Sequence, residues 1–238
     1  MQAMHEADAL EERWRREAER LHGRYLIEIV EACGLCPWAE RARLQGRTES
    51  AVLFHTDDRG LEPAIELLDQ WAAESRIDIG FILLPRLPLG RLEFDAFVAR
   101  LRSMDARRRP PGEPPFALAA FHPDAQADIE DADRLVPFLR RSPDPCVQAI
   151  RLTTLKRLRS RTPEGTQFVD VSRIGAMLED DGGLPLRERI ARANQQTLRR
   201  MGVDRFAARV ADIHRDREET YANLASGRQS RRASGGRA

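Results

Sequence analysis

Three short apolar runs alternate along the chain with segments that carry the apolar spacing of amphipathic helices. The runs cover 50–55, 77–84 and 116–121, and each ends at proline or polar residues. Segments 61–73 and 92–104 separate these runs and place their apolar residues on one helical face. Alternating strands and helices are typical of α/β domains, in which helices connect the strands. We therefore predict an α/β fold with a small, mainly parallel sheet and crossover helices.

Helical segments flank this strand region at both ends of the chain. The first thirty residues predict one helix that Gly34 ends, and 37–44 predicts a short second helix. Towards the other end, 147–158 predicts a short strand that runs into a helix, and 186–201 predicts a further helix.

The C-terminal part divides by composition. We predict that residues 1–202 form a single α/β domain that includes the N-terminal helix, and that 203–225 form a C-terminal helix. Residues 226–238 consist mainly of glycine, serine and arginine and are too polar to pack, so we predict a disordered tail.

Composition limits the classes of function. Of the 238 residues, 42% are hydrophobic, which is enough for a core, and the formal net charge of +1 makes nucleic acid an unlikely partner. We expect no membrane partner, because no apolar run approaches the roughly 20 residues of a membrane span. The chain has three cysteines, an odd number that does not suggest a disulfide framework. This favours a cytoplasmic protein. The oligomeric state is left open.

The segment from Cys33 to Trp38 carries the clearest chemical signal. Cys33 and Cys36 are separated by two residues, and Pro37 follows at once. Proline suits the first position of a helix, which makes Cys36 a candidate N-cap. A thiol at a helix N-terminus is shifted towards the thiolate, the form that acts as nucleophile and metal ligand.

Three interpretations of this pair stay open. The two thiols could form a redox pair, although such a motif normally follows a buried strand and here follows a helix. Cys36 could be the working thiol, with Cys33 packing against the helix. Both could instead be buried apolar groups, as free cysteines often are.

Two further segments offer polar chemistry. His122 follows the 116–121 run directly, and ligands of open α/β sheets bind beyond the carboxyl ends of strands. It could act as a base, as a metal ligand or as a partner of Cys36, or it could simply cap the turn beside Pro123. Prolines 143 and 145 hold an extended loop that presents Arg141 and Ser142, which suit a carboxylate or phosphate group.

A metal site is a possible extension of this set. Cys36, His122 and Cys146 would together suit zinc or iron. The cofactor is otherwise unknown, and the spacing matches no standard zinc motif. Cys146 could equally fill space under the loop, and Arg141 could pair with a nearby aspartate.

Four stretches occur in the order seen in a bacterial family of unknown function, DUF1415. They are Leu35-Cys36-Pro37-Trp38-Ala39, Phe121-His122-Pro123, Arg141-Ser142-Pro143-Asp144-Pro145 and Ala193-Asn194-Gln195-Gln196-Thr197-Leu198. The chain resembles this family over about 26–202. It departs from the pattern at Gln148, where the resemblance implies histidine, and at Leu152, where it implies glutamate.

The resemblance implies a cytoplasmic bacterial protein and brings no established activity. With the residues above, it favours an enzyme that acts on a small anionic molecule or peptide, either with or without a metal. Cys36 would be the nucleophile or a metal ligand, and His122 the base or a metal ligand. Arg141 and Ser142 would anchor the anion, and Asn194 would orient the substrate or His122. The alternative is a non-catalytic binding or scaffold protein with structural cysteines.

Overall fold

The structure is a computed structural model, and it describes residues 2–36, 38–54, 61–109, 114–124, 135, 138–159 and 186–226. Pro37 and the predicted tail beyond Ser226 lie outside the described residues.

Secondary structure follows the predicted order of helices and strands. A long first helix continues as a π-helix, and helices then alternate with strands until two long helices complete the described chain. The helices are α1 (Gln2–Tyr25), the π-helix (Leu26–Glu31), α2 (Ala39–Leu44), α3 (Leu61–Ala73), α4 (Arg91–Arg108), α5 (Leu152–Arg159), α6 (Leu186–Met201) and α7 (Val203–Ala225). The strands are β1 (Thr48–Val52), β2 (Ile79–Leu83), β3 (Phe116–Phe121) and β4 (Cys146–Arg151).

The four strands form one mixed sheet in the order β1-β2-β4-β3. Strands β1 and β2 are parallel and are connected by α3, as predicted. β4 lies between β2 and β3 and is antiparallel to both. β1, β2 and β3 therefore run in the same direction, so their carboxyl ends meet at one edge of the sheet, which we call the carboxyl edge.

The prediction of a mainly parallel sheet is wrong for β4. Phe121 at the end of β3 pairs with Cys146 at the start of β4, so the chain enters β4 at the edge where it left β3. No crossover of the sheet is needed, and β4 runs back between its neighbours. The segment that connects β3 to β4 is also long enough to contain a crossover helix. For this reason the sequence did not reveal that β4 is antiparallel to its neighbours.

Helices cover both faces of the sheet. On one face α3 and α4 enclose a core that includes Ile65, Phe94 and Val147. At Gly80 the backbone of β2 lies so close to the indole of Trp71 that a Cβ atom would overlap the ring. On the other face, which we call the α1 face, α1 and α7 enclose a second core with the strand residue Phe81.

The π-helix places the turn that follows α1. Its wider turn is closed by the hydrogen bond from the Ala32 amide to the Ile27 carbonyl, at 3.1 Å. Gly34 adopts a φ of +63° in the turn after it, which agrees with the predicted end of the helix. The side chain of Glu31 is buried and accepts two hydrogen bonds from Arg43 of α2, at 2.7 and 2.8 Å.

α7 is packed against α1 along much of its length. Phe206, Val210 and Ile213 are buried in the core of the α1 face. At its surface, Asp216 accepts hydrogen bonds from Arg20 and Arg24 of α1 at 2.6–2.8 Å. The segment predicted as a separate C-terminal helix therefore shares a core with residues of the predicted 1–202 domain.

Candidate functional site at the carboxyl edge

The carboxyl edge brings His122 next to the loop that carries Arg141. The His122 amide donates to the Arg140 carbonyl at 3.0 Å, and Nε of Arg141 donates to the Pro123 carbonyl at 3.2 Å. Two of the predicted motifs are thus tied to one another by backbone and side-chain hydrogen bonds.

The imidazole of His122 is buried, and both of its nitrogens are engaged. Nε2 lies 3.0 Å from the carbonyl of Leu89, which can only accept, so Nε2 carries the proton. Nδ1 then accepts a hydrogen bond from the Asp124 amide at 3.2 Å. A neutral imidazole held in this way caps the turn after β3 and joins it to the loop before α4.

The guanidinium of Arg141 is half-buried and has no carboxylate partner among the described residues. Its Nε donates to the Pro123 carbonyl, and its Cζ atom lies 5.7 Å from the centre of the Phe138 ring. The nearby Asp124 carboxylate is 76% exposed and lies 3.9 Å from Nδ1 of His122 instead. Within the described residues, the terminal nitrogens of Arg141 are therefore not paired with a carboxylate.

The Ser142 hydroxyl is buried and donates to the Asp144 carbonyl within the same loop. This contact fixes the loop and leaves the oxygen poorly placed to contact a ligand. A catalytic role for Ser142 would require the contact to be given up.

Sequence reasoning missed Asp144 and its partners on α7. The Asp144 carboxylate is buried and accepts hydrogen bonds from Nε of Arg217 at 2.7 Å and from the Tyr221 hydroxyl at 2.6 Å. Burial raises the pKa of Asp144, whereas Arg217 and Tyr221 act to lower it. An aspartate between two prolines was the available signal, but nothing in the sequence indicated partners more than seventy residues away.

His214 of α7 was also missed. Its Nε2 lies 3.4 Å from the Arg141 carbonyl, and burial lowers the pKa of this imidazole. The spacing of a long polar helix does not distinguish His214 from its neighbours, so no pattern in the sequence selects it.

Cys36 lies outside the helix end where it was predicted. α2 begins at Ala39, and its N-cap is Trp38 rather than Cys36. The amides of Trp38 and Ala39 do approach the sulfur and favour the thiolate, but burial dominates and raises the pKa of Cys36 to about 11. The thiol is therefore neutral at pH 7, contrary to the predicted thiolate, because α2 is short and the sulfur packs beside the core.

The other two cysteines occupy packed positions on the α1 face. The Cys33 sulfur lies 3.7 Å from the Met201 sulfur. Cys146, at the start of β4, is fully buried and pairs with Phe121 of β3. Burial raises the pKa of both thiols, and all three cysteines are free.

The predicted metal ligands do not assemble. Among the residues that the structure describes, no group of three or more histidine, cysteine or acidic side chains is arranged to hold a metal ion. Cys36, His122 and Cys146 are all described, so they do not form the zinc or iron site expected from the sequence. The reason is local, since both nitrogens of His122 are already hydrogen-bonded, one to the Asp124 amide in the turn and the other to the Leu89 carbonyl before α4.

Asn194 is buried on α6, one turn before the core residue Leu198. It does not orient His122, whose nitrogens bond to Leu89 and Asp124. Its side-chain oxygen has no hydrogen-bond partner in the described structure.

The two departures from the resemblance fall in and just after β4. Gln148 lies on the α1 face opposite Phe81, and Leu152 begins α5.

A family model described as "Protein of unknown function (DUF1415)" matches residues 18–173. The chain belongs to this family, as its motifs indicated. Cys36, His122 and Arg141 lie within the match, whereas Asn194 and the whole of α7 lie beyond it. No curated protein and no solved structure matches the chain. Within the described part of the chain, no helix has the length and apolarity needed to cross a membrane.

Proposed function

We propose that the protein binds a small anionic molecule, a carboxylate or a phosphate, at the carboxyl edge of the sheet, with Arg141 as the anchor. The observation that carries this proposal is the half-buried Arg141 guanidinium, which is held at Nε and lacks a carboxylate partner among the described residues. A planar, fixed guanidinium whose terminal nitrogens bind no described carboxylate suits bidentate recognition of either anion.

Other arginines of similar exposure support this assignment by contrast. Most of them are paired with carboxylates at 2.5–3.0 Å. The arginines paired in this way are Arg20, Arg24, Arg43, Arg47, Arg109 and Arg217. Arg141 is likewise half-buried, but its partners among the described residues are only a backbone carbonyl and an aromatic ring. Its charge is left to interact with a ligand.

The neighbouring groups would position this anchor. His122 and Ser142 fix the two loops through hydrogen bonds to the chain. His214 adds a contact from α7 at the Arg141 carbonyl. In this proposal these residues set the orientation of Arg141, and the three cysteines are structural.

Isothermal titration calorimetry with inorganic phosphate and with malonate tests the proposal. The Arg141→Gln variant is expected to weaken binding by about tenfold to a hundredfold, since hydrogen bonds to charged groups contribute roughly 1.5–3 kcal/mol. Arg100→Gln is the matched control, because it removes the same charge from an exposed position on α4. Its affinity for both anions is expected to equal that of the wild type.

Two results would overturn the proposal. One is the absence of binding of either anion by the wild type. The other is an equal loss of affinity in the Arg141→Gln and Arg100→Gln variants, which would show a general effect of charge.

The second candidate is an enzyme in which the Cys36 thiolate attacks the acyl carbon of a bound ester whose separate anionic group Arg141 holds. The displaced alkoxide takes up a proton and leaves as an alcohol. The amides of Trp38 and Ala39, which both favour a thiolate at this sulfur, support this candidate. It requires that ligand binding lower the pKa of Cys36 from about 11. The rate of Cys36 alkylation by iodoacetamide at pH 7 would then rise in the presence of phosphate or malonate, whereas a structural thiol would react equally slowly with and without them.

A further inference from the structure

His22 of α1 is a buried imidazole without a hydrogen-bond partner. It is 3% exposed, and neither Nδ1 nor Nε2 has a partner in the described structure. The ring packs edge-on against Phe81 of β2, with 4.6 Å between ring centres. A neutral imidazole carries one donor and one acceptor, and buried polar groups are nearly always bonded. His22 is therefore placed to bond to something that the described chain does not supply.

Gln148 lies beside the same phenylalanine. It pairs directly with Phe81 across β2 and β4, so the two side chains share the α1 face as close neighbours. Although β4 is an inner strand, Gln148 is only half-buried, and its side chain makes no hydrogen bond among the described residues.

The strand surface next to Gln148 is made of small, half-buried residues. Ala119, which pairs with Gln148 on β3, is half-buried, and so is Ala117 two residues earlier on the same face. The α1 face is therefore closed over β2, where Phe81 and Leu83 are buried, and accessible over part of β3 and β4.

The electrostatics at His22 favour an uncharged ligand group. Burial lowers the pKa of His22 to about 3, and no charged side chain contributes to that shift. The imidazole is thus neutral at pH 7. A charged ligand would lose its hydration without gaining a counter-charge.

We propose that His22 and Gln148 form a binding site for a small neutral molecule with a carboxamide or lactam edge. The amide of Gln148 and the imidazole of His22 each offer a donor and an acceptor, and a carboxamide presents both. Its planar body would lie over Ala119 and Ala117. This site is distinct from the carboxyl edge, where Arg141 selects for negative charge.

Nuclear magnetic resonance of the full chain with benzamide tests this proposal. The readout is the His22 ring signal, one of five histidine signals, identified by its absence in His22→Phe or, if that variant does not fold, in His22→Gln. Benzamide at millimolar concentration is expected to shift the His22 signal. Benzoate, which has nearly the same shape and a negative charge, is expected to leave it in place.

Two substitutions separate the site from general effects. Gln148→Leu is expected to weaken benzamide binding about tenfold, because it removes the amide that shares the ligand with His22. Gln70→Leu changes an exposed glutamine on α3, on the opposite face of the sheet, and is expected to leave binding unchanged.

Three results would overturn the proposal. They are a His22 signal that benzamide does not move, an equal shift with benzoate, and an unchanged affinity in Gln148→Leu. None of them bears on anion binding at Arg141, so failure here is separate from failure of the proposed function.

Discussion

Replacing Arg217 by methionine should destabilise the fold by leaving the buried Asp144 carboxylate without its cation. Nε of Arg217 donates to Asp144 at 2.7 Å, and only the Tyr221 hydroxyl would remain as a side-chain partner of that carboxylate. Methionine keeps most of the length and apolar contact of the arginine, so the change isolates the charge.

The size of the loss follows from burial. Removing one partner of a buried ion pair costs about 3–5 kcal/mol. Asp144 is 4% exposed at its side chain, but Arg217 is 28% exposed and keeps part of its hydration. We therefore expect the low end of that range, about 3 kcal/mol at pH 7.

The loss should depend on pH in a defined direction. Burial already raises the pKa of Asp144 above its usual 3.8, and removing Arg217 takes away the largest opposing influence. A raised pKa in the folded state means that stability is lost as the pH rises through it. The difference between the variant and the wild type should therefore be largest at pH 7 and should shrink as the pH falls and Asp144 becomes protonated.

Urea unfolding followed by tryptophan fluorescence at pH 7 and pH 5 measures these differences. Arg215→Met is the matched control, since Arg215 is 63% exposed and its contact with Asp212 is 3.5 Å long. It should change the free energy of unfolding by less than about 0.5 kcal/mol. In an Asp144→Asn background, Arg217→Met should cost only about 1 kcal/mol, because no charge is left unpaired.

Equal losses for Arg217→Met and Arg215→Met would refute this reasoning. So would a loss for Arg217→Met that grows as the pH falls.

Four further predictions concern other parts of the fold. Gly80→Ala should lower the free energy of unfolding by about 1–3 kcal/mol, because the new methyl group overlaps the Trp71 indole. Gly23→Ala, in a helix with open space, should raise it by roughly 0.5–1 kcal/mol in the same urea experiment. Iodoacetamide should alkylate Cys36 slowly at pH 7 and faster as the pH approaches 11, and rapid reaction at pH 7 would contradict its neutral state. Asp216→Asn should destabilise the protein at neutral pH and progressively less below about pH 4. The reason is that two arginines lower the pKa of Asp216 in the folded state, and the stability that they provide is lost on acidification; a difference that grows in acid would be inconsistent with this sign.

Local patterns were sufficient to predict most helices and strands. The apolar spacing over 61–73 gives the observed bounds of α3, and the run over 116–121 gives those of β3. The helix buries one face and the strand is a short apolar run, so both patterns are visible in the sequence. The π-helix was not predicted, because its wider turn leaves the apolar spacing of the segment almost unchanged.

Long-range pairing could not be predicted from the sequence. The direction of β4 depends on the edge of the sheet from which the chain enters it after residue 121. Tertiary contacts decide which edge that is. Likewise, Asp144 is bound by Arg217 and Tyr221, which are more than seventy residues away in a helix beyond the family match. A single sequence gives no measure of such contacts.

The candidate site was predicted in part. The Phe121-His122-Pro123 and Arg141-Ser142 motifs do lie together, because both occupy the carboxyl edge. The role of Cys36 was inferred from its position before a proline. Its pKa, however, is dominated by burial of the sulfur, which is a property of the folded chain.

Anomalous diffraction from crystals soaked in selenate tests the central claim most directly. Selenate resembles phosphate in shape and charge, and selenium reveals its position. Anion binding at the carboxyl edge predicts a selenium peak within hydrogen-bonding distance of the Arg141 guanidinium, and its loss in Arg141→Gln crystals. Selenium peaks only elsewhere, or a peak that persists in Arg141→Gln, would contradict it.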